Sequence, residues 1–215
     1  DAMGCRSVRH SFWRKLNEKG VQTAEFFPAI LRRLQLRINY RNHRKIVVID
    51  GTVAYTGGVN LADEYINHIE KYGRWKDAAV MLEGEGVRTM TALFLQMWSI
   101  QREPEFAQFL TRPLPQTQAK GFVIPYGDCP LDGERVGEMV YMDMLNRARK
   151  YVHIITPYLI LDGELETALK FAAERGVDVH LILPHVPDKK FAYALAKTHY
   201  KSLLDSGVKI SEWLP

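Results

Sequence analysis

Apolar positions change rhythm several times along the chain, and each change marks an element. Residues 9–19 carry apolar side chains at helical spacing and are closed by Gly20, the residue type on which helices end. Val21 to Phe27 reads as a strand ended by Pro28. Ile46-Val47-Val48-Ile49 is β-branched throughout, and the Asp50-Gly51 pair that follows is a strong signal for a tight hairpin turn. Trp75 to Leu82 reads as another strand. Residues 86–102 return to helical spacing through Val87, Met90, Leu93, Phe94, Met97 and Trp98, of which the Met and Trp positions read as core rather than as a binding box. Pro104, Pro113 and Pro115 punctuate a connection, and the polar stretch Gln116 to Lys120 divides the chain into residues 1–115 and 116–215.

Beyond that boundary strands and helices alternate. Phe122 to Pro125 is a short strand, Glu134 to Lys150 an amphipathic helix, and Tyr151 to Pro157 a strand of the buried type. Asp162 to Arg175 is a helix ended by Gly176, and Val177 to Pro184 another strand. Asp188 caps a helix running to Ser206, Gly207 ends it, and Val208 to Trp213 is the last strand. This alternation predicts an α/β protein with a mixed, mostly parallel sheet covered by helices on both faces.

The two ends of the chain resemble each other. Gly20-Val21, Glu25-Phe26 and Pro28 match Gly207-Val208, Glu212-Trp213 and Pro215 at a constant offset of 187, and the preceding helices align with Trp13 over Tyr200 and Leu16 over Leu203. The repeat predicts two duplicated lobes, both incomplete here.

Composition narrows the picture modestly. A chain of 215 residues with 47% apolar and 25% charged residues can build a sizeable core. The net charge of +4 favours anionic partners. No acidic residue lies between Glu25 and Asp50, and the basic amphipathic stretch 29–42 reads either as a solvated face or as a surface for anionic headgroups. Cys5 and Cys129 are isolated, so neither a zinc site nor a disulfide is implied. No apolar run reaches the roughly 18 residues of a membrane-spanning helix.

The candidate chemistry sits in the hairpin. From His43 to Asn60 the chain reads H-x-K-x4-D-x6-G-G-x-N. Strand periodicity puts His43, Lys45, Val47 and Ile49 on one face. With Asp50 and Gly51 as the loop, Ile49 pairs with Thr52, Lys45 with Thr56 and His43 with Gly58. Asn60 then lies diagonal to His43, or opposite it if the loop shifts by one, and Gly58 leaves room for a ligand. Asp50 is roughly 16 Å from Lys45 along an extended strand, with opposite side-chain parity, which gives it a turn-fixing role. His153 reads as a satisfied core histidine and His10, His68, His180 and His199 as solvated ones. Tyr158 and His185, at strand C-termini, are possible pocket residues, because open α/β sheets bind ligands there.

The His43–Asn60 run resembles the HKD motif of the phospholipase D superfamily. Asn42 to Gly51, Tyr55 to Asn60, Asp63-Glu64-Tyr65, Trp75-Lys76-Asp77, Thr156-Pro157-Tyr158-Leu159, Leu183-Pro184-His185, Lys197 to Tyr200 and Gly207 to Ile210 are similar to bacterial cardiolipin synthases. The resemblance implies the two-lobed phospholipase D fold, here without the N-terminal membrane segments or the second HKD motif. Residues 1–115 would hold the C-terminal part of the first lobe and 116–215 the N-terminal part of the second. It implies condensation of two phosphatidylglycerols into cardiolipin and glycerol through a phosphohistidine, with His43, Lys45 and Asp50 as the catalytic triad. Asn60, Gly58 and Lys45 would hold the phosphate. No cofactor or metal is implied. The expected partners are anionic phospholipid and a membrane surface, with no nucleic acid. A second half-site would come from a segment after Pro215 or from a dimer mate. The expected location is the bacterial cell membrane, reached through segments outside this chain, the piece itself being soluble or peripheral. A hydrolase using water as acceptor and an inactive lipid-binding fragment are the alternatives. Where relatives commonly have Thr-His after Trp-x-Asp, this chain has Ala78-Ala79.

Overall fold

A computed structural model describes residues 5, 8–26, 41–103, 105–115, 118–129 and 133–214. The elements run in the order α1 (His10–Glu18), β1 (Ile46–Ile49), β2 (Val53–Gly57), β3 (Ala79–Glu83), α2 (Gly86–Trp98), α3 (Phe106–Leu110), α4 (Val136–Arg147), β4 (Tyr151–Ile155), α5 (Gly163–Glu174), β5 (Asp178–Pro184), α6 (Lys190–Asp205) and β6 (Lys209–Trp213). The protein is α/β. The chain divides into two compact units, one of residues 1–60 and 77–127, the other of residues 61–76 and 128–215.

The first unit holds an antiparallel sheet in the order β1-β2-β3. Ile46 and Val48 turn inward and pack with Leu82 against Val87 and Met90 of α2 and against buried Ala54. Val47 and Ile49 face outward, 55% and 48% exposed, so the alternation along β1 is the one its sequence predicts. The turn forms where expected: Asp50 and Gly51 both take positive φ, 52° and 71°, and Thr52 N–H donates to Ile49 O at 3.0 Å. The register does not follow. Ile49 pairs with Val53 and Ile46 with Thr56, so Thr52 is an extra residue between turn and ladder. It is held by that turn bond and by its own hydroxyl, which also donates to Ile49 O at 3.3 Å. Every cross-strand partner assigned from a two-residue loop is displaced by one.

The second unit is built on a parallel sheet in the order β4-β5-β6. Val152, Ile154, Val179, Leu181, Leu183 and Ile210 share one face and pack with Leu169, Ala172 and Leu203 of α5 and α6. The opposite face carries Tyr151 and Ile155, 64% and 80% exposed, with His153, His180, Ser211 and Trp213. Among the described residues the sheet is therefore covered on one face, where cover on both was expected. β4 alternates rather than being buried throughout, and His153 is correspondingly an exposed residue paired with Asp178 at 3.4 Å, not a core histidine.

Three helices end alike. After α1, α5 and α6, Gly20, Gly176 and Gly207 take φ of 84°, 89° and 90°. In each case the valine after the glycine donates back to a carbonyl of the last helical turn: Leu16, Ala172 and Leu203. The closure at Gly20 thus matches the one at Gly207, as the internal repeat predicts. It equally matches the one at Gly176, so it is a general solution for leaving a helix. What remains particular to the 187-residue offset is the Glu, aromatic and Pro that follow.

Other expectations change in detail. Residues 21–26 form no strand. The Glu25 backbone is instead held by the Gln101 side chain, whose Nε2 donates to Glu25 O while its Oε1 accepts from Glu25 N. Residues 122–125 form no strand either, and β3 starts at Ala79 rather than Trp75. Asp162 caps α5, accepting from Leu165 N at 2.8 Å. Asp188 does not cap α6, which starts after Lys189; its carboxylate is taken by Tyr158. The basic stretch 29–40, Pro28, Pro104, Gln116-Thr117 and Pro215 lie outside the described residues.

Candidate functional site

His43 and Lys45 stand just before β1, at the open end of the hairpin. Lys45 Nζ lies 3.1 Å from His43 Nδ1 and 3.2 Å from Nε2, and it donates to the His43 carbonyl at 2.8 Å. Because the ammonium is nearly equidistant from both ring nitrogens, it acts on the imidazole mainly as a charge. Burial, and then that charge, hold the His43 pKa below its usual value. The imidazole is neutral near pH 7, with a lone pair available. Burial also lowers the pKa of Lys45, against the opposing pull of Asp77.

Asp77 was not singled out as a site residue from sequence. Its Oδ1 accepts from Ala78 N at 2.8 Å, and a Cβ on Gly58 would collide with its carboxylate. The space beside Gly58 is therefore filled by Asp77 rather than left for a ligand. A carboxylate directly after Trp-Lys, returning to the hairpin as β3 begins, was the available signal. β2 ends at Gly57, so the ladder reaches neither Gly58 nor Asn60, and its register does not pair them with His43. Asp50 sits in the turn at the opposite end of β1 from His43 and Lys45, and its carbonyl accepts from Arg112 Nη1 at 3.2 Å.

On the other side of β1, Asn42, Arg44 and Ile46 line a cavity of about 220 Å³ with Phe94, Met97 and Trp98 of α2. Met97 and Trp98 are half-buried there rather than core.

In the second unit, Tyr158 and His185 stand just beyond the C-terminal ends of β4 and β5. Tyr158 Oη donates to Asp188 Oδ2 at 2.6 Å. Burial, that bond and the nearby Tyr65 and Tyr72 phenols raise its pKa well above the ordinary tyrosine value. His185 Nδ1 lies 2.8 Å from Glu212 Oε2, while Tyr193 Oη donates to Glu212 Oε1 at 2.9 Å. Burial opposes ionisation of Glu212, but the hydrogen bonds from His185 and Tyr193 outweigh it and hold its pKa low. Burial and Glu212 push Tyr200 up to about 12.

A second H-x-K, His199-Tyr200-Lys201, lies on α6. On a helix, positions two apart point to different sides. His199 turns in to Glu166 at 2.8 Å and Lys201 out to Asp205 at 2.6 Å. It is not a second copy of the strand motif.

Among the described residues no helix is long and apolar enough to cross a membrane. Residues 141–214 match the family model "Cardiolipin synthase, PLD-like domain". An uncharacterized Streptococcus mutans protein is 58% identical over 97% of this chain and 45% of its own length. A cardiolipin synthase of Alkalihalophilus pseudofirmus is 35% identical over 99% of this chain and 43% of its own length. Cardiolipin synthase 2 of Bacillus cereus is 37% identical over 99% of this chain and 42% of its own length. The chain thus spans less than half the length of these relatives. The crystal structure of phosphatidylserine synthase from Haemophilus influenzae superposes with a TM-score of 0.48 at 14% identity, covering 80% of this chain and 48% of that one. Residues 141–214 are thus similar to the phospholipase D-like domain of cardiolipin synthases, and the chain resembles bacterial cardiolipin synthases over nearly its whole length.

Proposed function

We propose that the protein acts as a phosphatidyltransferase that joins two phosphatidylglycerols into cardiolipin and glycerol. The observation that carries this reading is the His43 imidazole held 3.1 Å from the Lys45 ammonium just before β1. A neutral ring nitrogen can attack the phosphorus of a phosphodiester: a P–N bond forms, the P–O bond to glycerol breaks, and the alkoxide takes a proton from an acid. In the second step a hydroxyl of another phosphatidylglycerol gives its proton to that same group and attacks phosphorus, and the P–N bond breaks. Lys45 offsets the charge that builds on the phosphoryl oxygens, and we assign Asn60 to them as a further hydrogen-bond donor. Asp50 keeps the turn, and Gly58 admits Asp77 beside the site.

One His–Lys pair lacks the acid that this scheme requires. We assign that part to a second motif, in the remaining length typical of the relatives or on a dimer mate. The substrate and the working surface are then an anionic phospholipid membrane. The test is His43→Ala in the intact protein, incubated with phosphatidylglycerol. Cardiolipin formation should vanish; retained turnover would overturn the reading. Phosphatidic acid from the unmodified protein, in place of cardiolipin, would make it a hydrolase.

A further inference from the structure

The segment 61–76 leaves the hairpin after Asn60 and packs with the second unit. It is braced by Asn67, which takes the left-handed conformation and closes on Trp75 twice: Nδ2 donates to Trp75 O at 3.0 Å, and Trp75 N donates to Oδ1 at 2.5 Å. This brings Tyr65 to 4.3 Å and Tyr72 to 6.3 Å from the Trp75 ring, centroid to centroid. The Tyr65 and Tyr72 phenols also stand close enough to Tyr158 to act on its titration. Tyr158 is fixed in turn by Thr156, whose hydroxyl donates to the Tyr158 carbonyl at 3.0 Å and accepts from its N–H at 3.3 Å.

The Tyr158 hydroxyl is bonded to Asp188, whose side chain is only 17% exposed and whose Oδ2 accepts from it. The second carboxylate oxygen accepts no hydrogen bond from any described residue. Tyr158 itself is 38% exposed. Tyr158 and Asp188 follow the ends of β4 and β5, the edge on which parallel sheets take their ligands.

A carboxylate among aromatic faces fits two kinds of ligand: an organic cation, or a neutral molecule with adjacent hydroxyls and a C–H edge. Two resident ammonium groups decide between them. Lys71 Nζ lies over the Tyr72 ring at 5.1 Å, and Lys189 Nζ is 3.9 Å from Asp188. A further cation would meet their repulsion, whereas a diol would not. It can donate to the open Asp188 oxygen and lay its C–H edge on the rings.

We propose that Asp188, Tyr158, Tyr65, Tyr72 and Trp75 form a binding site for a vicinal diol of the glycerol type. The inference rests on the phosphatidyltransferase reading only in naming a glycerol headgroup as the natural source of that diol. Tyr158 and Asp188 are then specificity-determining residues for it.

The test reads Trp75 fluorescence in the intact protein, as the difference between the unmodified protein and W75F. Glycerol, dihexanoyl phosphatidylglycerol and dihexanoyl phosphatidylcholine are titrated separately. A response to phosphatidylglycerol and to glycerol supports a site for the diol itself; a response to phosphatidylglycerol alone supports a site for the diol carried on a lipid. D188N should weaken binding about tenfold, the share of one hydrogen bond to a charged acceptor. Y158F, which keeps the ring and removes only the hydroxyl, should weaken it several-fold and covers the case in which D188N fails to fold. No response to either diol, an equal or stronger response to phosphatidylcholine, or unchanged binding by a folded D188N or by Y158F would overturn the proposal. H43A separates it from the chemistry. Binding should persist there while turnover stops. Diol binding without any transferase activity in the unmodified protein would sink the catalytic reading and leave this one standing. Transfer without a Trp75 response would do the reverse.

Discussion

Gly58 lies so close to Asp77 that any side chain at position 58 would displace the carboxylate. Gly57, next to it, meets backbone instead: a Cβ there would stand 2.5 Å from Ala78 O and 2.8 Å from Ala79 Cα. The two glycines should therefore fail differently. Gly58→Ala should keep the fold within a few degrees in melting temperature and lower turnover, because it moves the charge that supports Lys45. Gly57→Ala crowds the β2–β3 ladder and should cost about 1–3 kcal/mol of stability. Thermal melts paired with assays of both variants check this; an active Gly58→Ala enzyme would remove Asp77 from the site.

The shifted pKa values of His43 and Lys45 give signs to test. The Lys45 charge is the second cause, after burial, of the lowered His43 pKa. Lys45→Met should therefore raise the His43 titration midpoint, though not fully to its usual value, since burial stays. Asp77 holds Lys45 up against burial, so Asp77→Asn should lower the Lys45 pKa further and move the alkaline limb of the pH–rate profile to lower pH. NMR titration of the His43 ring and of the Lys45 ammonium measures both directions.

Asp50 offers a direct contrast with His43. At φ 52° it is a non-glycine residue in the left-handed region, which aspartate and asparagine tolerate better than alanine. Asp50→Asn and Asp50→Gly should keep turnover within a few-fold of the unmodified protein, and Asp50→Ala should destabilise by about 1 kcal/mol. A loss beyond a hundredfold in a well-folded Asp50→Asn protein would put Asp50 in the chemistry.

Glu166 ties α5 to α6. Its oxygens accept from Lys170 and His199, each at 2.8 Å, and from Ser202 at 2.9 Å. These bonds, led by Lys170, hold its pKa down to about 2 from 4.5. A carboxylate with a depressed folded-state pKa stabilises the protein above its unfolded value and loses that contribution as pH falls through the folded one. Glu166→Gln should lower the melting temperature by a few degrees at pH 7, in line with about 1–2 kcal/mol for weakened charge-assisted bonds. The gap should narrow between about pH 4.5 and pH 2. A gap that stayed constant over that range would show that packing, not charge, is what Glu166 supplies.

Local rules carried the sequence reading a long way. Helix ends at Gly20, Gly176 and Gly207, the Asp50-Gly51 turn and the outward face of β1 depend on residues within a few positions of each other, and all were legible. What failed depends on partners far along the chain. The extra residue at Thr52 is the exception, because it is set within the turn, where its N–H and hydroxyl both donate to Ile49 O. Asp77, 19 positions after Gly58, reaches the site only because β3 pairs with β2. His153 reads as buried from its neighbours and is exposed because nothing described covers that face of the sheet. Residues 21–26 have strand-like composition, but no strand among the described residues pairs with them.

The excursion of residues 61–76 has a consequence for anyone who would take this protein apart. Its ends, Asn60 and Asp77, belong to one unit and its body to the other, so the backbone crosses between units after Asn60, after Lys76 and after Gly127. A single cut at Gly127 would leave the first piece trailing a foreign loop and the second missing its aromatic lining. An isolated first unit would need Asn60 rejoined to Asp77 by a short bridge, with 61–76 supplied to the second unit as a separate peptide. The same geometry limits inheritance: neither unit can be exchanged for another by one crossover in the gene, and the two are bound to be passed on together.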